Sequence, residues 1–368
     1  MNALGRLRGV ADRMATASGG ERLLIGIGSV LLALFIGSII VFAAGYDPIT
    51  FLLFLFWGAF GSAGDVAFTL RKTTLLILAG VAVALAFRAN IFNIGVQGQL
   101  VVGGFGTAMS IIWLAPYVPS GTLGGIVLML IGIPIGMVCG GLYAAIPGVM
   151  KAYADANEVI TTLMLNFIAT GVLFVLVDGP LKDPDSPAPK TVDFPDSVEF
   201  PSVVLDSSRF SLYGLLIALA AVVVVSVVMN RTAFGYDLRT SGEQAEAAAY
   251  SGVIPERMIV STMVFSGIVA GLCGAVYTIM VLGYYQDPGV TPTFGFDAIA
   301  VSLLAANNPI GVVPSSLLFG SLSSGKQFVE INQNVPQELV DGIVGLIVLF
   351  VATPELFRMA GRRRGDRE

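Results

Sequence analysis

Apolar runs long enough to cross a bilayer recur along almost the whole chain, and they limit its fold more than any other feature. Residues 23–44, 122–147 and 258–282 are three of them. The hydrocarbon core of a membrane takes about 20 apolar helical residues. Inside lipid, only helices and closed barrels satisfy every backbone N–H and C=O. These runs are much longer than the roughly 10-residue strands of a membrane barrel. The expected class is therefore all-α, a polytopic membrane protein. Charge agrees, since 12% of the 368 residues are charged, about half the share in a soluble domain. There is no histidine, which removes the commonest proton shuttle and metal ligand. Cys139 and Cys273 sit singly in apolar runs, so both read as packing residues and not as redox or metal groups.

Positive charge near span ends marks the cytoplasmic side. Arg6, Arg8, Arg13 and Arg22 place the tail 1–22 inside. The run 23–44 is too long for a signal-peptide core and lacks a clean cleavage site, so it reads as a retained first span. Lys151, the loop 230–257 with Arg231, Arg239 and Arg257, and the basic tail 356–368 also read as cytoplasmic. The chain is expected in the cell membrane, with both termini inside and a transmembrane domain over 23–355. Four apolar stretches (51–70, 73–89, 98–116 and 122–147) lie between the first outer turn and Lys151, and parity allows three to cross. The stretch 51–70 carries Gly58, Gly61, Gly64 and Asp65, so it is read as re-entrant or interfacial, although this strands Arg71 and Lys72 outside. Further spans follow at 159–177, 211–229, 258–282, 294–306, 309–324 and 335–351, giving about ten transmembrane helices with re-entrant or broken segments. The Pro- and Asp-rich stretch 179–209 reads as an exterior loop, either a docking surface or a plain connector.

Several polar positions interrupt the apolar pattern. Asn90, Asn93, Gln97 and Gln99 stand beside Gly95 and Gly98. They fit a broken helix lining a translocation path, or alternatively hydrogen bonding between helices. Asn166 lies in mid-span and is a further path candidate; Glu158 either caps a helix start or touches a partner. Phe294, Phe296 and Asp297 suit a ring-stacking or hydroxyl-binding ligand, and Asn307 and Asn308 join a hairpin. Asp297 and Asp65 are the two acids deep in apolar runs; Asp297 either lines the path or satisfies a local helix terminus. Gly267, Gly271 and Gly274 form a small-residue face for close packing. Residues 320–326 have P-loop spacing, but Gln327 follows Lys326 where a magnesium-binding Ser or Thr belongs, and no strand precedes. Residues 243–251 form an Ala-rich helix too short to stand alone in water, so it must dock on something.

Gly242, Glu243, Glu246, Ala247, Ala248, Tyr250, Ser251, Gly252 and Val253 together resemble the coupling-loop motif of permease subunits of ABC importers. The resemblance extends to the sequences FNIGVQGQ at 92–99, NEVI at 157–160, FSG at 265–267, FGFDAIAV at 294–301 and NPIG at 308–311. It covers roughly residues 70 to 355 and points to the nucleoside and simple-sugar branch of the branched-chain amino acid-type permeases. Related permeases often carry an acid where this chain has Gln97, which puts an ionic role there in doubt. The resemblance implies coupling through Gly242, Glu243, Glu246, Ala247, Ala248, Tyr250 and Gly252. The polar and aromatic interruptions of the apolar pattern give the expected path: Asn93, Gln97, Gln99, Asn166, Phe294, Phe296, Asp297 and Asn307. The resemblance also implies a separate ABC ATPase that uses ATP and magnesium, a second permease subunit (identical or homologous) and an extracytoplasmic substrate-binding protein. The bilayer is the remaining partner. No cofactor and no nucleic acid are expected on this chain, which would be a transport subunit and not an enzyme. Nucleosides lead the substrate expectation, then simple sugars, with branched-chain amino acids as a further alternative. The rival reading is an ion-coupled secondary transporter of a small polar solute; a membrane enzyme lacks any catalytic constellation.

Overall fold

A computed structural model describes residues 19–201, 210–286, 294–333, 335–336, 338–346 and 349–350. The tail 356–368 and most of the tail 1–22 lie outside the described residues, as do parts of the 179–209 loop and of the expected span 335–351. The chain divides into two compact units, one of Met1–Val66 with Ser321–Glu368 and one of Ala67–Gly320.

In the first unit, α1 runs Gly19–Ala43 and α2 runs Pro48–Phe60. Asp47 caps α2, accepting hydrogen bonds from the Ile49 and Thr50 amides at 3.2 and 3.1 Å. Pro48 follows at a position where a missing N–H is harmless. The 13 residues of α2 reach about 20 Å, short of a bilayer core. Phe54 packs edge-on against Phe328 at 5.6 Å, and Gly58 lets the Phe328 ring approach its backbone.

The break after α2 falls at Gly61 and Ser62, which corrects the boundary of the 51–70 stretch. Helix α3 starts at Ala63 and runs to Arg88 as one piece, so 63–70 belong to a long apolar helix. Ser62 and Asp65 make a reciprocal cap: the Asp65 amide donates to Ser62 Oγ at 3.2 Å, and that hydroxyl donates to the Asp65 carboxylate at 2.6 Å. Asp65 therefore serves a helix start and is not an acid deep in an apolar run. Arg71 and Lys72 lie between two and three turns in, with their cationic ends 4.5 and 5.5 Å from the Phe68 ring centre.

In the second unit, α3 is buried at every residue from 73 to 86. The unit also holds α4 (Val96–Leu114), α5 (Thr122–Ala154), α6 (Glu158–Asp178), α7 (Leu212–Arg231) and α10 (Pro255–Tyr277), of which α10 reaches the α3 backbone through Ser266 and Cys273. Helices α4, α5 and α10 meet through glycine. A Cβ on Gly140 would lie 2.8 Å from the Gly271 nitrogen, and one on Gly267 would lie 2.5 Å from the Gly140 carbonyl oxygen. Gly274 admits the Leu100 carbonyl in the same way. The small face at Gly267, Gly271 and Gly274 thus does what its spacing suggests, since close backbone approach replaces the hydrophobic drive that lipid cannot supply. Cys273 donates its thiol to the Leu75 carbonyl at 3.3 Å, a packing role.

Helix α10 ends in a π-turn, Thr278–Leu282, closed by Gly283 at φ +76°. The loop after α6 is pinned there. Thr191 and Phe194 donate backbone N–H groups to Tyr285 and Gly283 at 2.9 and 2.8 Å, and Lys190 pairs with Asp193 at 2.8 Å. That hydrogen bond holds the Lys190 ammonium above the ordinary lysine pKa. The described residues of α11 span Phe294–Leu304, and α12 spans Val312–Gln333. At 11 residues, α11 covers about 16 Å, so 294–306 is not a full crossing among the described residues. Six described helices are long and apolar enough to span, with shorter apolar helices at Leu31–Ala43, Pro48–Phe60 and Gly295–Leu304. Residues 320–326 lie inside α12, so their amides serve the helix and form no phosphate loop.

Candidate translocation and coupling site

Two groups of residues carry the site. The first is the junction of α3 and α4. Asn90 sits at φ +59° and stops α3; the chain crosses to α4 within six residues. A break at membrane depth frees backbone groups, and side chains must take them up. Asn93 does most of this. Its Nδ2 donates to Gln99 Oε1 at 2.9 Å and to Ser266 Oγ at 2.8 Å. Its Oδ1 accepts from the Gly95 amide and from Gln99 Nε2, both at 3.0 Å. The Ser266 hydroxyl in turn donates to the Ala82 carbonyl at 2.7 Å. Asn93 is fully buried with both donors and both acceptor sites in use.

Asn166 closes the far side. Its Oδ1 accepts from the Gly98 amide at 2.8 Å and its Nδ2 donates to the Ile94 carbonyl at 2.9 Å. Glycine at 98 eases this approach, since a Cβ there would lie 3.1 Å from the Asn166 Cα and press against it. Gln97 reaches the second expected path segment: its Oε1 accepts from the Gly295 amide at 2.9 Å, at the start of α11. An acid at 97 would meet the same helix N-terminus, so the neutral amide keeps the contact without burying a charge.

Asn93, Gln97, Gln99 and Asn166 are thus gathered into one buried amide cluster that touches α11. Phe296 is 48% exposed, and Asp297 lies in the first turn of α11. The Phe294 side chain lies outside the described residues. Asn307 is at the other end of α11, at φ +56°, where its Oδ1 accepts from Ser302 Oγ at 3.0 Å and its amide donates to the Ser302 carbonyl. It terminates that helix and stands apart from the cluster. Ser266 is the member that sequence reasoning missed; its only trace was its place in the Phe265, Ser266, Gly267 motif.

The second group is the loop between α7 and α10. The expected helix at 243–251 is α9, Ala245–Tyr250, and a further helix that was not expected, α8, Ala233–Glu243, precedes it across a break at Gln244. Thr232 caps α8, its Oγ1 accepting from the Gly235 amide at 3.1 Å. Helix α9 ends in a Schellman turn, with Val253 donating to Ala248 at 3.1 Å and Gly252 to Ala249 at 3.0 Å. Gly252 takes φ +85°, a conformation natural to glycine. Ala248 is fully buried, whereas Glu243, Glu246, Ala247 and Gly252 are exposed and Tyr250 is 94% exposed. Gly242 faces inward; a Cβ there would meet the Ala89 carbonyl group. Beside it lies a cavity of about 140 Å³ bounded by Asn90, Lys151, Glu158, Leu238, Ser241 and Thr262. Lys151 pairs with Glu158 across it at 3.4 Å, and Asn157 caps α6 through the Val159 amide at 3.0 Å.

A family model described as the permease component of a branched-chain amino acid transport system matches residues 65–352. The chain belongs to that family. It is 35% identical to the guanosine ABC transporter permease protein NupP of Bacillus subtilis, with 92% of this chain and 95% of the relative covered. Identity is 30% to the nucleoside ABC transporter permease protein NupB of Lactococcus lactis, covering 90% and 91%. It is 32% to the glucose ABC transporter permease protein TsgB13 of Haloferax volcanii, covering 92% and 90%. No solved structure matches the chain. As an ABC permease component this membrane protein is a transport subunit and not an enzyme, and the ion-coupled reading weighed from the sequence does not fit that family.

Proposed function

We propose that this permease imports nucleosides, driven by a separate ATPase that bears on the exposed face of α8 and α9. The carrying observation is its likeness, over nine tenths of its length, to permeases named for guanosine and nucleosides. A simple sugar is the second reading, favoured by the relative named for glucose. In this reading the assembly holds two permease chains, two ATPases that use ATP and magnesium, and an external binding protein that delivers substrate. Both termini are cytoplasmic, and the pinned loop after α6 faces outward toward the binding protein. ATPase closure pushes α8 and α9, and the surrounding helices rock to open the path alternately to each side. The amide cluster and the start of α11 flank that path. A ligand shifts a conformational equilibrium only by its differential affinity for the two states, so the permease's own contacts with substrate are weak and selectivity rests with the receptor.

The test is uptake by the assembled complex with ATP maintained and ion gradients collapsed. Labelled guanosine is expected to accumulate. Uptake that stops with the gradients overturns the ATP-driven reading. Uptake of glucose without guanosine moves the substrate to sugars.

A further inference from the structure

We propose that Asn90 is the positioning residue that ties the α8 end of the coupling loop to the helix break at α4. The inference rests on the proposed ATP-driven reading and adds the physical link through which force travels.

A helix leaves its last four carbonyls without partners inside the helix. Helix α8 ends at Glu243, so the Gly242 carbonyl is one of these. Asn90 Nδ2 donates to it at 3.0 Å, across 152 positions of sequence. The contact is also steric. Gly242 lies so close to Ala89 that a Cβ would sit 2.5 Å from the Ala89 carbonyl carbon. Asn90 holds φ +59°, a conformation that asparagine tolerates better than most residues. One residue therefore ends α3, caps α8 and begins the crossing to α4. Three positions later stands Asn93, bonded to Gln99 and Ser266; seven positions later stands Gln97, bonded to the start of α11. Displacing the end of α8 pulls directly on the backbone that these side chains hold. The cavity of about 140 Å³ beside the contact is roomy enough for several waters, so α8 has space to move without compressing a packed core. The Ser241 hydroxyl borders that space and has no hydrogen-bond partner among the described residues.

The experiment uses the full complex of permease, ATPase and binding protein in proteoliposomes. Asn90→Gly keeps the left-handed backbone and removes the amide; Asn90→Asp keeps the size and removes the donor. ATP hydrolysis and guanosine uptake are read for each and divided by the amount of assembled complex. The expected result is ATP hydrolysis within about twofold of the parent and uptake per ATP lower by about tenfold, within the usual 5- to 150-fold range of coupling between sites. Normal uptake per ATP in Asn90→Gly overturns the proposal, as does a parallel loss of hydrolysis and uptake, or failure of every variant to assemble. If the unaltered complex takes up guanosine without consuming ATP, the underlying reading fails instead, and that outcome is separable from the others.

Discussion

The amide cluster around Asn93 and the α8–α9 loop are both polar interruptions of an apolar chain, yet they treat their polar groups in opposite ways. In the cluster every amide of Asn93 and Asn166 finds a partner within the protein. Around α9 the charged and aromatic groups Glu243, Glu246 and Tyr250 stand exposed. A polar group in lipid without a partner costs several kcal/mol, so the buried break has to be self-sufficient. A surface helix of six residues has little packing of its own, and its stability waits on what it meets. One region has its polar groups satisfied by the fold, and the other keeps them at the surface.

Four substitutions would break or sharpen that contrast. The largest effect is expected at Asn166→Leu, which strands the Gly98 amide and the Ile94 carbonyl; stability should fall by about 2–6 kcal/mol, from 1–3 for each unpaired group. Thermal unfolding in detergent checks this, and an unchanged melting temperature would show that the cluster is not needed to close the break. Next comes Gly271→Ala, whose added methyl would meet the Gly136 carbonyl and Met137. Overpacking there should cost about 1–3 kcal/mol, read in the same assay. Glu243→Arg, on the exposed side, should leave stability within about 0.5 kcal/mol while uptake drops roughly tenfold. Normal uptake at normal protein level would remove α8 and α9 from coupling. The smallest effect is expected at Lys190→Met. Its ion pairs with Asp193 and Asp183 lie near the surface, where such pairs contribute about 0–1 kcal/mol. A larger loss would mean that the loop after α6 is held chiefly by that lysine and not by its backbone bonds to Gly283 and Tyr285.

Local signals explain where sequence reading worked and where it slipped. Ser62 and Asp65 spelled a helix start, but the acid was weighed as a membrane charge, so the break was placed several residues late. The 243–251 helix was right in propensity and survives as α9; helix α8 before it, set off by Gln244 at φ −151° and ψ 89°, left no clear mark in the residue pattern. Residues 294–306 were apolar enough to suggest a span, and the turn at Ala306 and Asn307 falls where that span was expected to end, yet the described helix has only 11 residues. Asn93, Gln97, Gln99 and Asn166 were legible as unusual because uncharged amides are costly in lipid. Their partners were not, because Ser266 lies 173 positions from Asn93 and Asn166 lies 68 from Gly98.

The sequence by itself determined a helical membrane permease with a glycine-lined core and a short alanine-rich segment between spans. Those properties follow from hydropathy, glycine spacing and local motif, which act over a few residues at a time. Only the tertiary structure decided that Asn90 meets Gly242, that Gln97 reaches Gly295, and that the broken helix seals itself. Such pairings depend on which distant backbone groups the packed helices bring within about 3 Å, the length of a hydrogen bond.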